Sequence, residues 1–361
     1  MPATVNRLRA KGFKSIASVD LELRPLNVLI GANGAGKSNF VGLFALLGQL
    51  VEGKLQSCIK AQGGADAILT NGLKRTQHLE IDVSFARDEY KARLAGEADG
   101  SLHFEHESAR WHRTPGLAPF VVDLGAGHTE SALLATERKI AAIALHRMRE
   151  WRVFHFHDTS AFASVKLAGS LHDNKALRAD AGNLAAVLYK LQKTKPKDYR
   201  QIVETIRQVA PFFDDFSLEP DRLSADEQIR LEWAAVGTDA YFNASSLSDG
   251  TLRFMCLATL LLQPEPPSVI LIDEPELGLH PYAINVLAAL LETASHHSQI
   301  IVSTQSVTLV NQLVPEDLIV VDREPHGSTF RRPNEAELAA WLEDYALDEL
   351  WEKNLLGGRP K

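Results

Sequence analysis

The chain has 361 residues, 45% hydrophobic and 23% charged, which suits one large or two ordinary folded domains and excludes a disordered chain. A net charge of −8 gives no general attraction to nucleic acid, and two cysteines, Cys58 and Cys256, make no disulfide framework. The N-terminus lacks an apolar signal region and the longest mostly apolar run, 254–262, is too short to cross a bilayer, so a protein of the reducing cytoplasm with no membrane contact is expected.

In chain order, residues 5–11 and 16–23 alternate apolar and polar side chains and predict two antiparallel strands around Gly12. The apolar run 26–30 predicts a buried strand. It leads into Gly31-Ala32-Asn33-Gly34-Ala35-Gly36-Lys37-Ser38, a match to G-x-x-x-x-G-K-[ST]. Glycines let such a loop curl until several N–H groups face one anion. The helix expected over 39–50, apolar at Phe40, Leu43, Phe44 and Leu47, adds the positive end of its dipole. Lys37 is placed to reach the outer phosphates of a nucleoside triphosphate, and Ser38 to ligate Mg²⁺. Gly31, Asn33, Gly34, Gly36 and Asn39 complete this set of nucleotide-binding candidates.

Residues 53–129 carry mixed signals, with strands at 78–85 and 101–105 and turns at Gly63-Gly64, Gly96 and Gly100. A helix follows over 130–150, a strand over 151–156, two helices within 181–209 broken near Pro196, and a strand over 229–236. Heptads are not sustained, so no long coiled coil is expected. Ser248-Asp249-Gly250 caps a helix over 252–262. The run 268–272 then ends in Asp273-Glu274-Pro275-Glu276, a buried parallel strand with carboxylates at its C-terminal end. This is the Walker B pattern, in which Asp273 would hold Mg²⁺ and Glu274 would orient and activate the attacking water. Another buried strand, 299–304, stops at Gln305, and 318–322 reads as the last strand.

Weaker constellations stand beside these. His155 and His157 point the same way on a strand next to Asp158, either as a metal pair or, the favoured reading, as a polar strand edge. His103, Glu105 and His106 read as surface. Lys190, Lys193, Lys195, Lys197 and Arg200 form a basic run that could contact phosphates or simply be a solvated helix end. Glu343, Asp344, Asp348 and Glu349 read as the solvated face of a C-terminal helix.

Walker B lies far downstream of the P-loop, with Ser248-Asp249-Gly250 shortly before it, and in this the chain resembles the ABC-type ATPases of the RecF/SMC-like branch. The sharpest likeness is to AAA- or SMC-like ATPases related to RecF, and 151–160 and 183–191 extend it beyond the motifs. The resemblance implies an α/β P-loop ATPase head with an inserted strand-and-helix lobe. Its parts would be 1–50, carrying the P-loop, the insertion 51–240, a C-terminal lobe 241–325, and a helical tail 326–361. It places Ser248-Asp249-Gly250 at the signature motif, usually Ser-Gly-Gly. There Ser248 and Gly250 would bind the γ-phosphate of ATP held by a second subunit in an ATP-dependent homodimer. Asp249 departs from that pattern. Glu276 to Pro281 resembles the D-loop region, and Gln305 stands at the switch position where many relatives have histidine. Gly12-Phe13-Lys14-Ser15 matches an element that lies near the nucleotide base in relatives, which adds Lys14 to the candidates. Three roles follow from the resemblance. The first is a DNA-associated ATPase of repair or anti-phage defence. The second is a switch that clamps a partner effector such as a nuclease. The third, a transporter ATPase subunit, is disfavoured by the signature, the switch residue and the insertion. Some relatives carry a fused nuclease domain, for which the segment after Asp322 is too short.

Overall fold

A computed structural model describes residues 4–114, 117–221, 227–333 and 350–351. The N-terminal strands are β1 (Arg7–Phe13), β2 (Ile16–Glu22) and β3 (Leu26–Ile30), followed by helix α1 (Lys37–Val51). Short helices α2 (Leu55–Ala61) and α3 (Ala65–Ile68) precede strands β4 (His78–Phe85), β5 (Asp88–Gly96), β6 (Leu102–Trp111) and β7 (Phe120–Gly125). Next come α4 (Lys139–Arg149), β8 (Trp151–Phe154), β9 (Gly169–Ser170), α5 (Leu184–Thr194) and α6 (Pro196–Val209). Small strands β10 (Phe213–Ser217), β11 (Gln228–Ile229), β12 (Glu232–Ala235) and β13 (Tyr241–Asn243) lead to α7 (Asp249–Leu262). The chain closes with β14 (Val269–Asp273), α8 (Pro281–Ser295), β15 (Gln299–Thr304), α9 (Val307–Val310), β16 (Leu318–Glu324) and β17 (Gly327–Arg331).

Two six-stranded sheets organise these elements. One runs β17-β16-β3-β15-β14-β8 and is parallel apart from the β16–β17 hairpin. The other is antiparallel, in the order β2-β1-β4-β5-β6-β7. The inner parallel strands β3, β14 and β15 are almost wholly buried because both their faces are covered. Val28 and Ile30 of β3 enter one core with helices α5 to α8, while Leu29 enters a second core with α1 and the antiparallel sheet. Ile270 and Ile272 of β14 divide from Val269 and Leu271 in the same way.

The outer face of the antiparallel sheet shows the alternation of a half-solvated strand. Arg9 lies across from Asp20 on one side and Asp82 on the other, and Lys91 follows Asp82 in the next strand. Their ion pairs run from 2.5 to 3.5 Å, so the charges on this face largely neutralise one another.

Segment 51–240 does not stand apart from the head: β4 to β7 extend the sheet begun by β1 and β2, and β8 is an edge strand beside Walker B. The strands β5 and β7 escaped the sequence reading, because Ala92, Ala95 and the glycines blur their alternation. The two helices within 181–209 meet at Pro196, which takes the first-turn position where its missing N–H costs nothing. The expected tail 326–361 begins with a strand, β17, rather than a helix. Glu343, Asp344, Asp348 and Glu349 lie outside the described residues. Among the described residues no helix is long and apolar enough to cross a membrane.

Candidate nucleotide site

The P-loop joins the C-terminal end of β3 to the start of α1. Gly36 has φ 120°, and a Cβ there would lie 2.2 Å from Ser328 Oγ, so both conformation and space demand glycine. Helix α1 starts with no side-chain cap and no acid in its first turn. Its first N–H groups thus keep their capacity for an external anion. Lys37 is 5% exposed, and its ammonium donates to the carbonyls of Gly31 (2.7 Å) and Ala32 (3.1 Å). Burial pushes the Lys37 pKa down, while Glu274, Asp273 and Glu276 push it up. An uncapped helix start beside a buried ammonium fits a polyphosphate.

A hydroxyl chain supports the loop from behind. Asn39 Nδ2 donates to Ser15 Oγ (2.7 Å), the Ser15 and Ser328 hydroxyls lie 2.7 Å apart, and Ser328 Oγ donates to Ala35 O (2.5 Å). Asn39, a candidate ligand, therefore spends its amide on the β1–β2 hairpin. Lys14 sits in that hairpin with φ 47°, its ammonium 5.6 Å from the centre of the Phe13 ring. Asn33, Gly34 and Ser38 are exposed at the loop. Ser15 belongs to the Gly12-Phe13-Lys14-Ser15 element, whereas Ser328 had no motif to flag it.

Walker B ends the next strand but one. Asp273 and Ser303 are register partners on β14 and β15, and the Ser303 hydroxyl donates to Asp273 Oδ1. Glu274 takes φ 43°, unusual for a residue with a Cβ, and is anchored by its N–H to Ser303 O (2.8 Å). Gln305 Nε2 donates to Glu274 Oε1, so the two catalytic candidates touch. Glu276 is 9% exposed; its Oε1 accepts from Thr304 Oγ1 (2.5 Å) and Gln305 N (3.2 Å), while Oε2 is buried without a partner. Burial pushes its pKa up. Asp273 and exposed Ser38 carry hard oxygen donors of the kind that Mg²⁺ takes together with phosphate oxygens. Among the described residues no group of three or more His, Cys, Asp or Glu could hold a metal ion alone.

Ser248 caps α7, its Oγ accepting from Thr251 N (3.2 Å). A Cβ on Gly250 would lie 2.3 Å from Gly278 O, so this glycine allows the loop after Walker B to approach the helix. Arg253, one turn on, is a single cation in an apolar helix, the signal that sequence reading passed over. It is 5% exposed, and its guanidinium donates to Phe156 O (2.9 Å), His157 O (3.3 Å) and Leu277 O. The signature turn is thereby tied to the chain just beyond β8. β8 stands three strands from the P-loop strand in the order β3-β15-β14-β8, roughly 14 Å across the sheet.

The weaker constellations form no second site. The His155 and His157 rings are 6.4 Å apart, burial lowers the His155 pKa, and Asp158 accepts from Ser160 N (3.0 Å). His103 pairs with Glu97 (2.9 Å), and Glu105 with Arg93 (2.9 Å) and His78 (3.2 Å). In the basic run, Lys190 donates to Asn174 O (3.1 Å) and Lys193 lies over the Tyr189 ring.

The chain belongs to the family described as "AAA domain, putative AbiEii toxin, Type IV TA system", which matches residues 26–311. It is 23% identical to the Old nuclease of Escherichia phage P2 over 89% of this chain and 59% of that protein. It is 24% identical to the chromosome partition protein Smc of Halothermothrix orenii over 63% of this chain and 21% of that one. The chain thus spans about three-fifths of the one relative and a fifth of the other. Among solved structures it resembles an Smc head bound to the C-terminal winged-helix domain of ScpA, with TM-score 0.63 and 17% identity over 93% of this chain and 99% of that one. A second resemblance is to the Smc head of Pyrococcus furiosus bound to the C-terminal domain of ScpA, with TM-score 0.58 and 15% identity over 94% and 98%. The fold is that of an SMC-like ABC-type P-loop ATPase head, and no long coiled coil is present among the described residues.

Proposed function

We propose that this chain hydrolyses ATP with Mg²⁺ at a site completed by a second copy of itself. The observation that supports it most is the direct Gln305–Glu274 contact at neighbouring strand ends, with Lys37 close enough to feel both Walker B carboxylates. In this reading Lys37 leaves its carbonyl partners to bind the outer phosphates, with the N–H groups of Gly31 to Ser38 around them. Ser38 and Asp273 would hold Mg²⁺, and Ser303 orients Asp273 for that task. Bound Mg²⁺ neutralises phosphate charge and polarises the terminal phosphoryl group. Glu274 accepts a proton from water, and Gln305 holds the carboxylate in place without carrying charge.

In the same reading Ser248 and Gly250 serve the partner's nucleotide; Arg253, one turn along their helix, is tied to the chain just beyond β8, three strands from the P-loop strand. Exposed Leu277 (48%), whose carbonyl accepts from Arg253 of that helix, supplies apolar surface for a second head. Turnover measured against protein concentration tests the reading: it should rise more steeply than in proportion.

The downstream task we propose is DNA-associated, in repair or anti-phage defence and in the cytoplasm; likeness to Smc and to a phage nuclease supports it. The alternative is an ATP-dependent switch that clamps a partner effector such as a nuclease. The self-neutralised face of the antiparallel sheet favours this second reading, since it offers phosphates little. Stimulation of turnover by duplex DNA supports the first role, and its absence the second.

A further inference from the structure

Asp249 puts a negative charge at the start of α7, where a second head's phosphates would arrive. It is in the first turn and its side chain is 66% exposed. An acid there opposes an anion, and the structure contains a compensating group. Between β8 and β9 the chain forms a tight turn, Ser164–Lys166, which packs against the turn Ala244–Ser246 just before the signature. The Lys166 side chain is only 8% exposed; its ammonium lies 3.9 Å from Asp249 Oδ1 and donates to Thr159 O (2.5 Å). Arg253 approaches the same helix turn from the buried side and also feels Asp249, and Asp158 feels Lys166.

We infer that Lys166 is a positioning residue of the shared site, holding Asp249 and cancelling its charge so that Ser248 and the helix start can receive the partner's phosphate. The inference rests on the shared-site reading above. A lysine fixed by a backbone carbonyl stays beside the acid whatever the partner does. Glycine at the usual signature position needs no such support.

The test compares ATP turnover against protein concentration in the full chain for wild type, Lys166→Met, Lys166→Arg, Asp249→Asn and the double variant Lys166→Met with Asp249→Asn. Thermal midpoints and ATP affinity of the dilute protein are measured alongside. Lys166→Met should raise the protein concentration of half-maximal turnover about tenfold, with thermal midpoint and dilute ATP affinity held, and Lys166→Arg should restore it. Asp249→Asn should lower that concentration, and the double variant should return it to the wild-type value. An ion pair with a merely structural role would instead move the thermal midpoint and leave the concentration dependence alone. Should Lys166→Met fail to fold, Asp249→Asn alone decides by the direction of its shift. A double variant as impaired as Lys166→Met overturns the inference. Ser248→Arg is the control: if it leaves concentration-dependent turnover intact, the shared-site reading itself has failed.

Discussion

Gln305 donates its side-chain amide to the carboxylate of Glu274, joining the loops that leave two adjacent parallel strands. The contact fixes a carboxylate whose backbone already sits at φ 43°. Such a conformation costs on the order of 1–3 kcal/mol and persists only where the surroundings hold it. Here the holding group is Ser303, through its carbonyl.

Glu274→Gln keeps the side chain's shape and removes its basicity. ATP binding should persist while turnover falls by about 10² to 10⁴. Single-turnover and nucleotide-binding measurements on the same sample check both halves; unimpaired turnover would remove Glu274 from its role.

Lys37→Ala deletes the ammonium facing the Walker B carboxylates. Nucleotide affinity should drop below detection in a calorimetric titration. The thermal midpoint should hold or rise, because burial already disfavours this charge.

Glu276→Gln tests the buried carboxyl. Its folded-state pKa is raised above the ordinary 4.5, so the native state binds the proton more tightly than the unfolded chain does. That contribution is full below 4.5 and is lost as pH climbs through the raised value. The glutamine variant should therefore match wild type in strong acid and gain on it as pH rises toward neutral. Denaturant unfolding across that range reads the difference, and a gap independent of pH would refute it.

Gly250→Ala brings a methyl into the carbonyl of Gly278 and must push the loop after Walker B away from the signature helix. A loss of about 1–3 kcal/mol in stability is expected, together with lower turnover. Gly34→Ala is the contrast: φ 76° opposes it, but no atom stands within 4 Å, so its cost should be about 1 kcal/mol.

Ser248→Arg should spare ATP binding and stop turnover. Mixed with Lys37→Ala, it can form a dimer holding one site with an intact P-loop and an intact signature. Partial activity from two inactive proteins would demonstrate sharing; a mixture as inactive as its parts would refute it.

The sequence by itself determined the site's covalent grammar. Gly31 to Ser38 followed an apolar strand, and Asp273-Glu274 ended another, because phosphate binding and strand burial both write themselves into contiguous residues. What only the tertiary structure decided lies between residues distant in the chain. Ser328 stands behind Gly36, Ser303 holds Asp273, Arg253 binds the carbonyls of Phe156 and Leu277, and Lys166 reaches Asp249. None of these residues sits in a pattern of its own, since a side chain that serves a carbonyl or a carboxylate elsewhere needs only the right reach. Strand order is equally invisible locally: β8 entered the parallel sheet, and β4 to β7 the antiparallel one, because those edges bury Trp151, Phe85 and Tyr90 in one shared core.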